Sequence, residues 1–504
     1  MPIFFDFPNE WIAFIVFFSI IMLFIGLSEI GRKVFNLSPE LSRKFVHVMV
    51  GILVSLAPFF LTSSIPVILL GVLFTVVNFV ALKKDSLKGM HTTERVSFGT
   101  VYFPIAFTLL VVLFWERNIV LFVVAMLILA FSDTAATVVG ERSKSTHKFV
   151  LWHDKKSWAG SIAFFLTTLL VILVTLPLYM NFANQIALPL PHLLGLTLFT
   201  AFVATVGEAV SKRGSDNLTL TVAAALGMDL YMTSMNAGTL MALGGWFLAS
   251  VVMRYGAYKL KSLSVSGGFG AFLLGVFMFG MGGWDTMLPL IGFFVLSSML
   301  SKIADRQSKK DIISSKGSQR DIVQVYANGG FPLVFTIAWY FTDFSIAPLY
   351  WAFLASLASA TADTWETEIG SFSKKLPMNI LTGKRVAKGY SGGISLPGTL
   401  GGLLGAAAII FIAILLGTIE QDLSLILALI LSGFMGSIMD SVLGASLQAK
   451  FQCNVCNKPT EKLSHCHEET EHVSGILWFD NDWVNVAGTL AGGVIFLLVY
   501  FLIF

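Results

Sequence analysis

The sequence predicts an all-α, polytopic integral membrane protein of about 16 transmembrane helices, in two parallel, pseudo-repeated bundles. Three observations predict it. Hydrophobic residues make up 56% of the 504 positions and charged residues only 12%, with a mean hydropathy of +0.80, a balance that no water-soluble chain of this size requires. Apolar runs long enough to cross or nearly cross a bilayer follow one another along the whole chain. The cations also sort by side. Threading the runs alternately through a membrane leaves all 33 Lys and Arg except Arg117 on one side, which is then the cytoplasmic side.

The runs of the first half lie near 11–30, 45–62, 65–82, 99–115, 119–138, 158–178, 188–207 and 218–232. The first follows Asp6 and Glu10 rather than a basic stretch, and reads as a retained helix, not a cleaved signal. Those of the second half lie near 239–257, 267–283, 286–301, 329–342, 346–368, 392–417, 421–446 and 485–503. The short ones leave room for re-entrant segments. An even number of helices per half makes the halves parallel and puts both termini outside the cytoplasm. The expected domains are 1–235 and 236–504, the second carrying a Cys/His loop at 449–480.

One motif ends a long apolar run in each half: Asp133-Thr134-x-x-Thr137-x-x-Gly140 and Asp363-Thr364-x-x-Thr367-x-x-Gly370. On a helix, the Asp, second Thr and Gly share a face. A carboxylate at the mouth of a membrane helix is costly and marks a functional candidate. Further landmarks keep an offset of about 222–232 residues. Arg95 answers Arg320, and Glu208 answers Asp440. Lys156 with Gly160-Ser161 answers Lys388 with Gly392-Gly393-Ile394-Ser395, and Asp216-Asn217 answers Asp480-Asn481 after an insertion.

In the first half, Arg43, Lys44, His47, Arg95, Asp133, Lys155, Lys156, Glu208, Asp216 and Asn217 gather at the cytoplasmic helix ends. Carboxylates hold Mg²⁺ together with phosphate oxygens. Lys and Arg hold phosphates, and a Gly-Ser helix start lets backbone N–H groups approach one. Phosphoryl transfer, which is mostly positioning plus charge stabilisation, needs this inventory. Neither a P-loop nor the protein-kinase signatures occur. The second half offers Arg320, Lys384-Arg385 and Lys388 with Asp321, Asp363, Glu366, Asp440 and Asp480.

Arg43-Lys44-x-x-His47, Ser132-Asp133-x-x-Ala136, Lys155-Lys156-Ser157-x-x-Gly160-Ser161, and Glu208 followed by Asp216-Asn217-Leu218-Thr219 resemble the phytol kinase, dolichol kinase and CTP-dependent polyprenol kinase family. The resemblance covers most of 40–232. It departs in Ser132, where that family usually has Gly. It implies a CTP-dependent kinase acting on a lipid alcohol.

The second half carries Arg320-Asp321-x-x-Gln324-Val325-x-Ala327-Asn328-Gly329-Gly330, Ala362-Asp363-Thr364-Trp365-x-x-Glu368-Ile369-Gly370 and Gly389 to Ser395. It also has Asp440-Ser441-x-x-Gly444-Ala445-x-x-Gln448 and Asn481-Asp482-x-Val484-Asn485. Over about 260–500 it is similar to a family whose plant member is a phytyl-phosphate kinase, which implies conversion of a prenyl monophosphate to a diphosphate. A second acceptor that is already an anion should call for more cationic and metal neutralisation.

The combined expectation is a fused kinase of a bacterial inner membrane, with both sites on the cytoplasmic side. It takes an isoprenoid alcohol to its monophosphate and then to the diphosphate, using CTP or another NTP with Mg²⁺. Its partners are the prenol, the prenyl phosphate, the nucleotide and the lipid bilayer, with no nucleic acid. Asp133, Glu208, Asp216 and Asn217 serve the first site, and Asp363, Asp440 and Asn481 the second. Asp133, Asp363 and Asp440 hold metal. Arg43, Lys44, His47, Arg95, Lys155, Lys156, Arg320 and Lys388 hold nucleotide or phosphate. Cys453-x-x-Cys456 followed by His465-Cys466-His467 suits a structural Zn²⁺ held by three Cys and one of the two His. The rival readings are a lipid cytidylyltransferase and a lipid transporter or flippase.

Overall fold

The computed structural model describes residues 9–84, 97–143, 148–182, 187–307 and 319–504. Among these residues, 13 helices are long and apolar enough to cross a membrane. The protein is a polytopic integral membrane protein, all-α apart from a few short strands. The chain divides into two units, Met1–Leu243 and Gly244–Phe504.

The first unit runs α1 (Glu10–Val34), α2 (Pro39–Ser55), α3 (Ser64–Lys83), α4 (Gly99–Phe114) and α5 (Ile119–Arg142). A hairpin of β1 (Lys148–Val150) and β2 (Lys155–Ser157) leads into α6 (Trp158–Phe182), α7 (Leu190–Ala209) and α8 (Asp216–Asn236). The core is built on α5, whose residues from Val120 to Met126 are all buried, together with Ile128, Leu129, Ala130 and Ser132. It is apolar all round, as a helix enclosed by others must be. It packs on α2, α6 and α8. Small residues bring α7 and α8 close: a Cβ on Gly207 would lie 3.0 Å from the Thr219 carbonyl oxygen.

The second unit runs α9 (Leu240–Lys259), whose first turn holds the division between the units, α10 (Val265–Gln307), α11 (Ile322–Phe341) and α12 (Ala347–Ser371). The hairpin of β3 (Met378–Asn379) and β4 (Gly393–Ile394) then leads into α13 (Leu396–Leu415) and α14 (Leu423–Ser446). A small sheet precedes α15 (Asn481–Ile503). Here α12 is the enclosed helix, buried from Ala352 to Ala362. Its Ala and Ser residues let glycines of two neighbours approach, Gly433 of α14 and Gly492 of α15, while Gly405 of α13 lies against Thr361 and Trp365.

The 13 candidate spans fall short of the expected number for physical reasons. α4 has only 16 residues. α12 carries Asp363, Glu366 and Glu368 in its last turns, which lower its hydropathy. α10 is one 43-residue element with a break at Gly283, where φ is 58° and ψ −145°, a conformation open only to glycine. Thr286 Oγ1 donates to the Met278 carbonyl at 2.7 Å. In a straight helix, eight residues would separate those groups by about 12 Å. The chain therefore doubles back at Gly283, and α10 is a helical hairpin.

The expected Cys/His loop is a four-stranded antiparallel sheet: β5 (Lys450–Cys453), β6 (Pro459–Thr460), β7 (Ser464–His465) and β8 (Glu468–Ser474), in the order β6-β5-β8-β7.

Candidate functional site

In the first unit α2, α5, α7, α8 and β2 bring their ends to one cavity of about 830 Å³. Its lining includes Arg43, Lys44, His47, Asp133, Lys155, Lys156, Glu208, Asp216 and Asn217. Arg95 lies outside the described residues. The same cavity extends along Ile21, Ile25, Val54, Leu70, Phe74 and Phe107, which sit nearer the middles or far ends of their helices. It is therefore charged at one end and apolar along the rest.

Lys156 organises the charged end. Its Nζ donates to Glu208 Oε1 at 2.6 Å and to Asp216 Oδ2 at 3.0 Å. Ser161 Oγ, one helical turn into α6, donates to Glu208 Oε2 at 3.3 Å. Glu208 is 4% exposed, and a carboxylate so buried needs such partners. Burial alone would lower the Lys156 ammonium. Asp216 and then Glu208 outweigh it and hold the group above the usual lysine range. The sign follows: the stability it contributes is fully present below the unfolded value and is lost only as pH climbs through the folded one.

The remaining residues divide into held and available groups. Lys44 is paired with Glu40 at 3.4 Å and Glu141 at 3.3 Å. His47 places Nε2 2.9 Å from the Leu129 carbonyl oxygen and 3.7 Å from Asp133 Oδ2, so its hydrogen bond goes to the backbone. Asn217 donates to the Gly99 carbonyl at 2.8 Å and ties α8 to the start of α4. Arg43 and Lys155 line the cavity with no carboxylate partner among the described residues. Sequence reasoning missed Asp154, which accepts the Arg213 N–H at 2.7 Å. It also missed Gly214, at φ 87°, where a Cβ would sit 2.5 Å from the Gly99 nitrogen. The glycine was the available signal.

In the second unit Asp363 and Asp440 meet carboxyl to carboxyl. With its amide turned to donate, Asn485 reaches Asp440 Oδ2 at 3.0 Å and the Asn481 carbonyl at 3.3 Å. Asn481 thus contributes its backbone. Glu366 Oε2 accepts from Ser437 at 2.7 Å, while its other oxygen is buried without a partner. The Arg320 guanidinium lies 4.8 Å from the centre of the Phe293 ring, within electrostatic reach of Glu368 and Asp363. Burial lowers it to about 10, against the pull of those acids. Lys388 is not brought to the acids. It is exposed and bonds the Ser371 carbonyl at 3.1 Å and the Ser373 carbonyl at 2.5 Å, at the end of α12. Thr134, Thr137 and Thr364 bond carbonyls one turn back in their own helices.

A shared crossing corrects one pairing of landmarks. A Cβ on Gly160 would lie 2.8 Å from the Ala136 carbonyl oxygen, and one on Gly398 would lie 2.7 Å from the Glu366 carbonyl oxygen. Ser157 Oγ accepts the Gly160 N–H at 3.0 Å, as Ser395 Oγ accepts that of Gly398 at 3.3 Å. Gly140 faces Gly160 as Gly370 faces Gly398. Ser157 thus corresponds to Ser395, and the position of Lys156 is held by Ile394, not Lys388.

Oxygen donors of this kind fit Mg²⁺. In the first unit Asp133, Glu208 and Asp216 lie within electrostatic reach of one another around Lys156. In the second, Asp363 and Asp440 offer the same chemistry with no lysine bonded to them among the described residues.

Comparison with known proteins divides the chain in the same way. Residues 3–213 match the model of the Cytidylyltransferase family, and residues 248–493 that of Integral membrane protein DUF92. An uncharacterized membrane protein of Methanocaldococcus jannaschii is 32% identical over 166 residues, 32% of this chain and 66% of the relative. Protein PGR of Arabidopsis thaliana is 32% identical over 169 residues, 31% of this chain and 58% of the relative. The chain thus spans less than two thirds of the length of either. The phytol kinase of Synechocystis is 27% identical over 194 residues, 38% of this chain and 79% of the relative. No solved structure matches the chain. The protein joins a region similar to the Cytidylyltransferase family to a region similar to the DUF92 integral membrane proteins.

Proposed function

We propose that the protein is a membrane phosphotransferase whose first unit phosphorylates an isoprenoid alcohol with CTP or another NTP. The second unit adds a further phosphate to the monophosphate. Both work at the cytoplasmic face of a bacterial inner membrane. The observation that carries the first step is the cavity of the first unit, where an ammonium held by two carboxylates sits at the mouth of an apolar channel. That shape takes a molecule with a polar head and a greasy tail. The similarity to phytol kinases supports the acceptor class, and the resemblance of the motifs to CTP-dependent polyprenol kinases supports the donor.

Arg43 and Lys155, with no carboxylate partner among the described residues, hold the phosphates of the donor. Lys156 keeps Glu208 and Asp216 fixed and charged. Asp133 faces the acceptor hydroxyl and takes its proton as the oxygen attacks the γ-phosphorus in line. The nucleoside diphosphate leaves. Asp133 and Asp216 would hold Mg²⁺, which would supply neutralisation of phosphate charge. In the second unit Asp363 and Asp440 would hold the metal, with Arg320 within electrostatic reach of Asp363. The support there is the resemblance of its motifs to a phytyl-phosphate kinase family.

A lipid cytidylyltransferase is the second reading, favoured by the description of the family matching residues 3–213. One assay separates them: purified protein in detergent with CTP, Mg²⁺ and a panel of prenols and prenyl phosphates, read by mass. A lipid phosphate with CDP supports the kinase. A CDP-lipid with pyrophosphate supports the rival. Lipid transfer between liposome leaflets without nucleotide would instead point to a flippase.

A further inference from the structure

The small sheet β5–β8 is short of everything that stabilises a sheet. In its longest strand, β8, six of seven residues are exposed. Phe451, Cys453 and Thr460 are its buried residues. So little apolar area does not hold four short strands together, and small folds of this kind take a disulfide or a metal.

Its two turns also come at a conformational cost. Cys466 and His467 form a two-residue hairpin turn with φ of 54° and 65°, and Asn457, after Cys456, has φ of 54°. Hairpin turns of that type favour Asn-Gly, because a side chain in the left-handed region costs about 1–2 kcal/mol. Here the strained position is given to a thiol. The turns converge. Cys456 Sγ is 3.5 Å and Cys466 Sγ 3.2 Å from His465 Nδ1, and these atoms with Cys453 Sγ all lie within 4.8 Å of one another. Tetrahedral zinc with Zn–S of about 2.3 Å and Zn–N of about 2.0 Å has ligand-to-ligand edges of about 3.5–3.8 Å.

We propose that Cys453, Cys456, His465 and Cys466 bind one zinc ion, and that this ion holds the sheet so that Glu461 is fixed beside the acid cluster of the second unit. His467 takes no part. Glu461 lies in the link between β6 and β7, two residues from Leu463, where that link rejoins β8. Its carboxylate accepts the Ser391 hydroxyl, and it lies within electrostatic reach of Asp440 and Asp480. Lys450, in the same sheet, stands over the Tyr390 ring at 4.8 Å. The sheet is thereby clamped onto the 390–391 turn that leads into β4 and α13.

The test uses the full chain purified in detergent from zinc-supplied cells, with metal measured by mass spectrometry. The wild type is expected to hold about one zinc per chain, Cys456→Ser and Cys466→Ser less than about a tenth of that, and His467→Ala the wild-type amount. Chelating the wild type should speed tryptic cleavage after the exposed Lys462, and zinc should reverse this. Wild-type protein without zinc, equal zinc in Cys456→Ser, or cleavage indifferent to chelation would each overturn the proposal.

Discussion

The two acid clusters share a scaffold and differ at the position of one lysine. Each has an enclosed helix with Asp-Thr two turns before its end, a two-stranded hairpin, and a Gly–Gly crossing with a serine bonded to the glycine N–H. In the first, the residue before that serine is Lys156, bonded to two carboxylates. In the second it is Ile394, and Asp363 meets Asp440 with no lysine bonded to them among the described residues. The expectation from the second half was extra cationic neutralisation for a second phosphate. The described residues show the reverse. The first cluster carries its own bonded lysine, while Arg320 is the cation within electrostatic reach of Asp363 among the described residues.

The largest effect expected from this comparison is loss of one step at a time. Asp133→Asn should reduce prenol phosphorylation about 10³-fold and leave prenyl phosphate turnover intact. Asp363→Asn should do the reverse and accumulate monophosphate, measured by mass. Equal loss of both steps in either variant would merge the two sites into one.

Next is Lys156→Gln, which strands Glu208 and Asp216. It should cost about 3 kcal/mol of stability, read as a lowered melting temperature, besides its effect on turnover. Because Lys156 is held above the usual lysine range, its contribution should not fade between neutrality and about pH 10. A stability loss centred in that interval that vanished in Lys156→Gln would contradict the assignment.

Gly160→Ala and Gly398→Ala test the shared scaffold. Each pushes a Cβ against a backbone carbonyl, and each should destabilise by about 1–3 kcal/mol. If only one did so, the correspondence between the crossings would fail. The smallest effect belongs to Lys155→Met, which should raise the KM for nucleotide about tenfold with kcat nearly unchanged.

What the sequence made legible was what is costly in a bilayer. Asp133 and Asp363 stood out because a carboxylate in an apolar run must have a use. Lys156, Glu208 and Asp216 stood out against the same background, and the structure brings them together. Proximity along the chain misled for Lys388, which caps carbonyls at the end of α12. The correspondence of Ile394 with Lys156 depends on which glycines cross, and spacing in sequence does not give that. The apolar channel was also illegible: Phe74 and Leu70 look like any other lipid-facing residues of α3 until a cavity opens beside them. Asn217 reads as catalytic beside Asp216, and in the structure it lines the cavity while its amide also donates to the Gly99 carbonyl.

The reversal at Gly283 has a reach well beyond its own neighbourhood. It turns the second half of α10 back alongside the first, so this hairpin hangs on a residue with no side chain. A β-carbon at φ 58° would be strained whatever space surrounds it, and a substitution there would be felt through the whole hairpin.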